Sequence, residues 1–332
     1  MKNLFHPLPK SDHHHHLFLG GHRRRMEELF GASLADFCLG TQAPRLQTFE
    51  SAQPHHIMMQ AGRLRSQVAI ARMTAWIREE YMPLCGHEKF LEYAVTAALE
   101  AARDDNVRRL EASFNLTFAE YFHLSAADFL TVLRDTHQRV APEMIFGCDL
   151  GISRTAPVDA QFTWLERFLE IKDDFDSPNF FISGVDLYDV EDISRDREFQ
   201  KFFALAARHG LKRKAHVGEF SPAETVLAAV EMLELDEVQH GIHAGDSPET
   251  ARRIARRGTR LNVSPASNEI LGAADFSRKP HPLRVLHEEG VRISLATDDL
   301  LLFGKTITDQ CVSLAEQEIF TPEEICEIIA GE

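Results

Sequence analysis

Residues 214–240 read Lys214-Ala215-His216-Val217-Gly218-Glu219-Phe220-Ser221-Pro222-Ala223-Glu224-Thr225-Val226-Leu227-Ala228-Ala229-Val230-Glu231-Met232-Leu233-Glu234-Leu235-Asp236-Glu237-Val238-Gln239-His240. One strand, one helix and a second strand fit into this stretch. Lys214–Val217 and Glu237–His240 are short runs of strand character. Between them Val226, Ala229, Val230 and Leu233 recur at helical spacing. Ser221-Pro222-Ala223-Glu224 has the Ser-x-x-Glu form of a capping box, with proline at the first helical position.

The same unit repeats outward in both directions. Strands are expected at His13–Leu19, Asn106–Phe114, Met144–Leu150, Phe180–Asp186, Arg260–Val263 and Val291–Ala296, which with the first two makes eight. Phe162, Leu165, Phe168 and Leu169 mark another helix, and Ser247-Pro248-Glu249-Thr250 opens a further one. Strand then helix, counted eight times, predicts an α/β fold of the (β/α)8 TIM barrel type. A doubly wound sheet is the alternative, but no Gly-rich dinucleotide loop follows an early strand. The segment from Gly20 to Asp105 is too long for one crossover helix. It is expected to be a helical insertion after the first strand, part of it covering the barrel mouth. Residues 1–332 then form a single barrel domain.

Composition narrows the functional classes. With 332 residues, 44% hydrophobic and 26% charged, the chain is ordinary globular protein, which excludes disorder, collagen-like repeats and coiled coil as descriptions of the whole. A formal charge of −15 argues against a nucleic-acid partner, and His22-Arg23-Arg24-Arg25 is the one basic run. The five cysteines (Cys38, Cys85, Cys148, Cys311, Cys326) form no CxxC pair and fit reduced thiols. There is no signal-peptide h-region at the start and no apolar run approaching the roughly 18 residues that span a bilayer. A soluble, cytoplasmic protein with no membrane partner is expected.

The 17 histidines have to be read by spacing. In His13-His14-His15-His16, residues two apart share a strand face, so either His14 and His16 or His13 and His15 can point into the barrel as a metal clip. His216-Val217-Gly218-Glu219 follows a strand directly, and its glycine lets the chain turn so that Glu219 comes back toward the strand end. Gln239-His240-Gly241-Ile242-His243 and Thr297-Asp298-Asp299 close two further strands. Taken singly, each has a plain reading as a core histidine or a helix N-cap. Together they fall at the C-terminal ends of proposed barrel strands, where active sites of this fold sit. A His-x-His pair, a lone histidine and an aspartate are ligands suited to Zn²⁺. Glu219, His240 and Asp299 remain beside them as groups without an obvious structural job, and a carboxylate such as Glu219 beside a metal-bound histidine can act as proton donor or base. The set reads as a metal-activated hydrolase site.

At these residues the sequence resembles the adenosine deaminase family of the amidohydrolase superfamily. Pro9-Lys10-Ser11-Asp12-His13-His14-His15-His16-Leu17 resembles the family's opening Pro-Lys-x-Glu-Leu-His-x-His-Leu. His216-Val217-Gly218-Glu219 resembles His-Ala-Gly-Glu, and Val238-Gln239-His240-Gly241-Ile242-His243 resembles Ile-Gly-His-Gly-x-His. Ser264-Pro265-Ala266-Ser267-Asn268 resembles Cys-Pro-x-Ser-Asn, and His281-Pro282 through Gly290-Val291 to Thr297-Asp298-Asp299 resembles His-Pro…Gly-Val…Thr-Asp-Asp. The resemblance runs from Pro9 to about Phe303. It selects His14 and His16 as the ligand pair and implies one Zn²⁺ per chain on His14, His16, His216 and Asp298, with a water completing the shell. It implies that Glu219 gives a proton to a purine ring nitrogen, that His240 deprotonates or orients the water, and that Asp299 accepts a hydrogen bond from water or ring. The implied reaction is hydrolytic deamination of a purine or purine-like ring, a C–N hydrolysis in a cyclic amidine. Two-metal relatives generally place a bridging lysine on the fourth strand; Asn179–Asp186 has none.

Three departures bear on the substrate and on the chain's end. Phe18 stands where the family has an acid that contacts ribose in adenosine-specific members, so it speaks against unmodified adenosine. Alternatively Phe18 belongs to the core. Gly184-Val185-Asp186-Leu187-Tyr188-Asp189-Val190-Glu191 resembles Asp-Leu-Ala-Gly-Asp/Glu-Glu, with Asp189 where a glycine offers its N–H to the ring. Phe18, Gly184, Asp189 and Asp299 are the expected substrate contacts, and a free base or differently substituted purine is the expected small-molecule partner. The family usually continues beyond Glu332 with another helix or two, so either the sequence ends early or the last outer helix is curtailed. Two other readings stand beside deamination. One is a single-metal hydrolase of an amide, lactone or cyclic amidine, against which Glu219 speaks. The other is a binding protein with a vestigial site, against which the complete residue set speaks.

Overall fold

Eight parallel strands follow one another round a single sheet in sequence order in the computed structural model, which describes residues 1–30, 81 and 85–331. They are β1 (Lys10–His16), β2 (Val107–Asn115), β3 (Ile145–Ser153), β4 (Phe180–Tyr188), β5 (Lys212–Val217), β6 (Glu237–His240), β7 (Arg260–Val263) and β8 (Arg292–Leu295). A parallel bridge between His15 and Asp298 carries β8 back to β1. There the Asp298 N–H donates to the His14 carbonyl at 2.9 Å and the His16 N–H to the Asp298 carbonyl at 3.3 Å. This is the expected (β/α)8 barrel, nearly closed, and both faces of the sheet are covered.

Helices alternate with the strands outside. The main ones are α1 (Phe90–Asp104), α2 (Ala126–Val140), α3 (Val158–Phe175), α4 (Gln200–Arg208), α5 (Ala223–Leu233) and α6 (Pro248–Arg257). α6 starts as its sequence predicts, with Ser247 accepting from the Thr250 N–H and Pro248 in the first turn. α5 does not. Its N-cap is Pro222 with no side-chain cap, because the Ser221 hydroxyl is turned to the Glu191 carboxylate instead.

The first strand also departs from expectation. It runs from Lys10 to His16, and Leu17–Leu19 form a 3-10 turn. Hydropathy hides Lys10, Ser11 and Asp12, yet all three are buried. Lys10 Nζ donates to the carbonyls of Phe5, His6 and Leu8 at 3.2, 3.2 and 2.8 Å, so the ammonium is satisfied inside the fold. Of the insertion expected over Gly20–Asp105, residues 31–80 and 82–84 lie outside the described residues; residues 23–30 and α1 are helical.

The lower half of the barrel interior is ionic. Lys214 Nζ lies 2.6 Å from Glu111 Oε2 and 2.6 Å from Asp149 Oδ2. Lys212 reaches Glu111 at 3.0 Å and Glu237 at 2.8 Å, and Arg260 reaches Glu237 at 2.5 Å. Lys214, Gln239 and Asn262 donate to the His13 carbonyl at 3.4, 3.2 and 3.4 Å. The pairing of β1 with β2 shifts register between Asp12 and His15 at this level. These contacts hold the strand directly below His14. No described helix is long and apolar enough to cross a membrane.

Candidate active site

The histidine run divides its side chains. His13 turns down to Glu111, 3.3 Å from Nδ1 to Oε2. His15 points away from the barrel mouth, its Nδ1 2.8 Å from Thr297 Oγ1. His16 lines the upper cavity, and the His14 ring lies against those of His16, His216 and His240, with centroids 5.5, 4.7 and 4.6 Å away. His14 Nδ1 is turned to the Asn262 carbonyl at 3.4 Å and Ser264 Oγ at 3.3 Å. Its Nε2 is buried with no hydrogen-bond partner and lies 3.5 Å from Asp298 Oδ1. His16 Nε2 lies 3.3 Å from the same oxygen. The donor atoms of His14, His16 and His216 lie within 4.8 Å of one another, as do those of His14, His240 and Asp298.

This donor set fits a borderline divalent ion such as zinc. Three imidazoles and a carboxylate converge, and a buried imidazole nitrogen with no partner is costly unless something ligates it. Outer contacts fix the rings, as is usual around metal-bound histidines. Burial would push the Asp298 carboxyl up, but His14, His16 and His240 around it outweigh this and hold it well below the usual carboxylate range. Burial keeps His14 neutral, with its pKa well below that of a free imidazole. His16 is raised to about 10, because Asp299, Asp298 and Asp186 outweigh its burial. A metal entering there competes with a proton.

Glu219 is set by a tight turn after β5. Gly218 has φ of +79°, and a Cβ on it would lie 2.4 Å from Val226 Cγ2, so only glycine fits. The Glu191 carboxylate accepts the N–H groups of Gly218, Glu219, Phe220 and Ser221 at 2.8, 2.9, 3.1 and 3.1 Å. The Glu219 carboxyl is pushed well above its ordinary value by burial, with the charges of Asp298, Glu191 and Asp299 adding to it. His240 Nε2 lies 3.5 Å from Glu219 Oε2. Burial lowers His240 to about 4 despite Asp298 nearby. Burial raises Asp299 to about 7, His16 opposing and Asp298 adding, and its Oδ1 is buried without a partner. His240 and Asp298 both adopt left-handed backbone, with φ of +67° and +59°. Such strain in non-glycine residues gathers at functional sites.

A cavity of about 220 Å³ opens above these groups. Glu219, His240, Asp298 and Asp299 line its floor, and Phe18, Phe114 and Phe118 line its apolar side. Phe18 is buried among Phe90, Phe118, Phe122 and Phe129, with ring centroids 5.2–6.5 Å away, so it is at once core and pocket wall. Asp189 keeps the glycine-like backbone at φ +74°, while its Oδ2 accepts from Ser153 and Thr155. Its carboxylate is thus engaged by protein. Gly184 does not reach the cavity. It lies lower in β4, where a Cβ would meet the Lys212 carbonyl at 2.9 Å and Asp149 at 3.0 Å. His243 also stands apart, its ring nitrogens taken by Asp246 and the Ala273 carbonyl.

Two residues of the site carry no assignment from sequence. Asp186 Oδ2 lies 3.2 Å from His216 Nε2, and Glu191 holds the turn of Glu219. Their signal was an acid at the end of a strand and another just beyond it, a pattern shared with many helix caps.

Histidines and aspartates thus gather at the strand ends of a parallel eight-stranded barrel. The chain belongs to the adenosine deaminase family, whose model (described as "Adenosine deaminase") matches residues 87–330. A protein of Treponema pallidum named putative adenosine/adenine deaminase is 32% identical over 323 residues, covering 97% of this chain and 96% of its own. Two solved structures share the fold. A zinc-bound amidohydrolase from Burkholderia ambifaria superposes with a TM-score of 0.77 at 21% identity, covering 99% of this chain and 85% of that one. Adenine deaminase from Arthrobacter aurescens gives 0.72 at 18% identity, covering 97% and 91%. The chain is thus a hydrolytic purine deaminase, acting on C–N bonds in cyclic amidines.

Proposed function

We propose that this protein is a zinc-dependent deaminase whose substrate is a free purine base or a differently substituted purine rather than adenosine. The observation that carries the chemistry is Glu219, a buried carboxyl 3.5 Å from His240, beside the histidines and aspartate that converge at the strand ends. Its ionisation is opposed by burial and by the charges of Asp298, Glu191 and Asp299. His14, His16, His216 and Asp298 would hold one zinc ion, which when bound lowers the pKa of a water toward neutrality.

The chain's own groups do the rest. Glu219 gives its proton to a ring nitrogen, which makes the amino-bearing carbon more electrophilic. His240, neutral near pH 7, accepts a proton from the attacking water. Asp299 accepts a hydrogen bond from water or ring through its unpartnered Oδ1. Glu191 keeps Glu219 aimed. Phe18 supports the choice of substrate: an apolar ring stands where an acid would be needed to bind ribose. We also propose that Tyr81, which lines the cavity and donates to the Phe18 carbonyl, helps cover the barrel mouth.

An ammonia-release screen of zinc-loaded protein over purine bases, nucleosides and nucleotides tests the reading. Turnover of a base well above its nucleoside is expected. Adenosine turned over far faster than every base would overturn the substrate assignment.

A further inference from the structure

Tyr188 ends β4 at the position where the family element Asp-Leu-Ala-Gly carries alanine. Its ring stands beside two of the proposed ligands, with centroids 6.2 Å from His16 and 6.1 Å from His216, and it lines the cavity. A phenol therefore occupies space that a methyl group would leave open next to the reacting centre.

The ring is held there by its neighbours. Gly151 on β3 faces it, and a Cβ at that position would lie 2.7 Å from Tyr188 Cε1. Asn115, at the end of β2, lines the same cavity. Asn115 Oδ1 is already used, accepting from the Thr117 N–H at 2.8 Å and from Thr117 Oγ1 at 2.6 Å. The Tyr188 hydroxyl can donate one hydrogen bond to a ligand in the cavity. Ser113, two residues before Asn115 on β2, lines the same cavity with its Oγ buried and without a partner. This wall offers two hydroxyl groups beside aromatic faces. That suits a flat heterocycle with ring-nitrogen acceptors.

We propose that Tyr188 is a specificity-determining residue: its ring closes the cavity to the ribosyl group of a nucleoside, and its hydroxyl donates to a ring nitrogen of a purine base. The proposal rests on the purine-base reading above.

Calorimetric titration with two products, hypoxanthine and inosine, tests it on zinc-loaded wild type, Tyr188→Ala and Tyr188→Phe. Circular dichroism and metal content are recorded for each. Wild type is expected to prefer hypoxanthine. Tyr188→Ala should narrow the hypoxanthine-to-inosine affinity ratio by about tenfold or more, by gaining inosine. Tyr188→Phe should still exclude inosine but bind hypoxanthine about three- to tenfold more weakly, the loss of one neutral hydrogen bond. A folded, zinc-loaded Tyr188→Ala whose ratio stays within twofold of wild type overturns the exclusion. Tyr188→Phe binding hypoxanthine as wild type does overturns the donor role, and decides that point even if the alanine variant does not fold. Wild type preferring inosine would overturn the purine-base reading itself. A wild-type preference for hypoxanthine whose ratio is unchanged in Tyr188→Ala would overturn Tyr188's part alone.

Discussion

The Glu191 carboxylate accepts the backbone N–H of Glu219 at 2.9 Å, as the middle of a cradle that takes up four successive N–H groups. The proposed proton donor is therefore aimed by a second, fully engaged carboxylate. Burial would raise Glu191, but the Ser221 hydroxyl and the turn's N–H groups outweigh it and keep it ionised. Glu191→Ala leaves those N–H groups without their acceptor and frees the turn. We expect kcat to fall about 100-fold with zinc content unchanged, since misplacement of about 1 Å at a reacting group has that scale. Glu191→Gln, which can still accept, should recover part of the loss. Steady-state kinetics paired with metal analysis check this; an unchanged kcat in a folded Glu191→Ala would show that Glu219 needs no such support.

Zinc retention should depend on the four converging groups. His216→Ala is expected to lose most bound zinc, and Asp298→Ala likewise, while His243→Ala, whose ring is spent on Asp246 and a backbone carbonyl, keeps it. Emission spectroscopy on dialysed protein reads the result. Full zinc in His216→Ala would remove this residue from the ligand set.

The ionic floor makes a stability prediction. Lys214→Met leaves Glu111 and Asp149 buried without their shared cation, and breaking a buried pair this way costs about 3–5 kcal/mol, measurable by denaturant unfolding. Glu237 supplies the pH dependence. Burial opposes its ionisation, but Lys214, Arg260 and Lys212 outweigh it and bring it from its ordinary 4.5 down to about 2. A carboxyl lowered on folding stabilises above its unfolded pKa and loses that contribution as pH falls through the folded value. The stability gap between wild type and Glu237→Gln should therefore be full above pH 4.5, about 3 kcal/mol by linkage, and close as pH falls toward 2. A gap that does not narrow over this range would contradict it.

Phe18 is predicted to matter for folding as well as for the pocket. Removing its ring from the cluster of Phe90, Phe118, Phe122 and Phe129 should cost about 3–5 kcal/mol in Phe18→Ala, read as a lowered thermal midpoint. A loss below about 1 kcal/mol would make it a pocket residue only.

The barrel and the cluster at its mouth were legible because both depend on spacing. Strand-end histidines and the Asp298-Asp299 pair stand out once eight strands are counted, and the resemblance chose between the two faces of the histidine run. What stayed hidden had no distinctive pattern. Asp186 and Glu191 look like any acid near a strand end, and only the folded chain brings one to His216 and the other to Glu219. Lys10, Ser11 and Asp12 fall outside the expected strand His13–Leu19 because hydropathy cannot foresee an interior whose charges are paired. Ser221 carries a capping-box signature, but Glu191 outbids the helix for its hydroxyl. Gly184, expected to touch substrate, sits lower on its strand among Lys212 and Asp149, away from the residues that line the cavity.

The most direct test is ammonia release from adenine by zinc-loaded protein, wild type against Glu219→Gln, with zinc content measured on the same samples. Wild type should produce ammonia and hypoxanthine in equal amounts. Glu219→Gln should keep its zinc and lose about 100-fold or more of the rate, the usual contribution of a positioned general acid. A zinc-loaded Glu219→Gln working at the wild-type rate, or a wild type that releases no ammonia from any purine, would contradict the account.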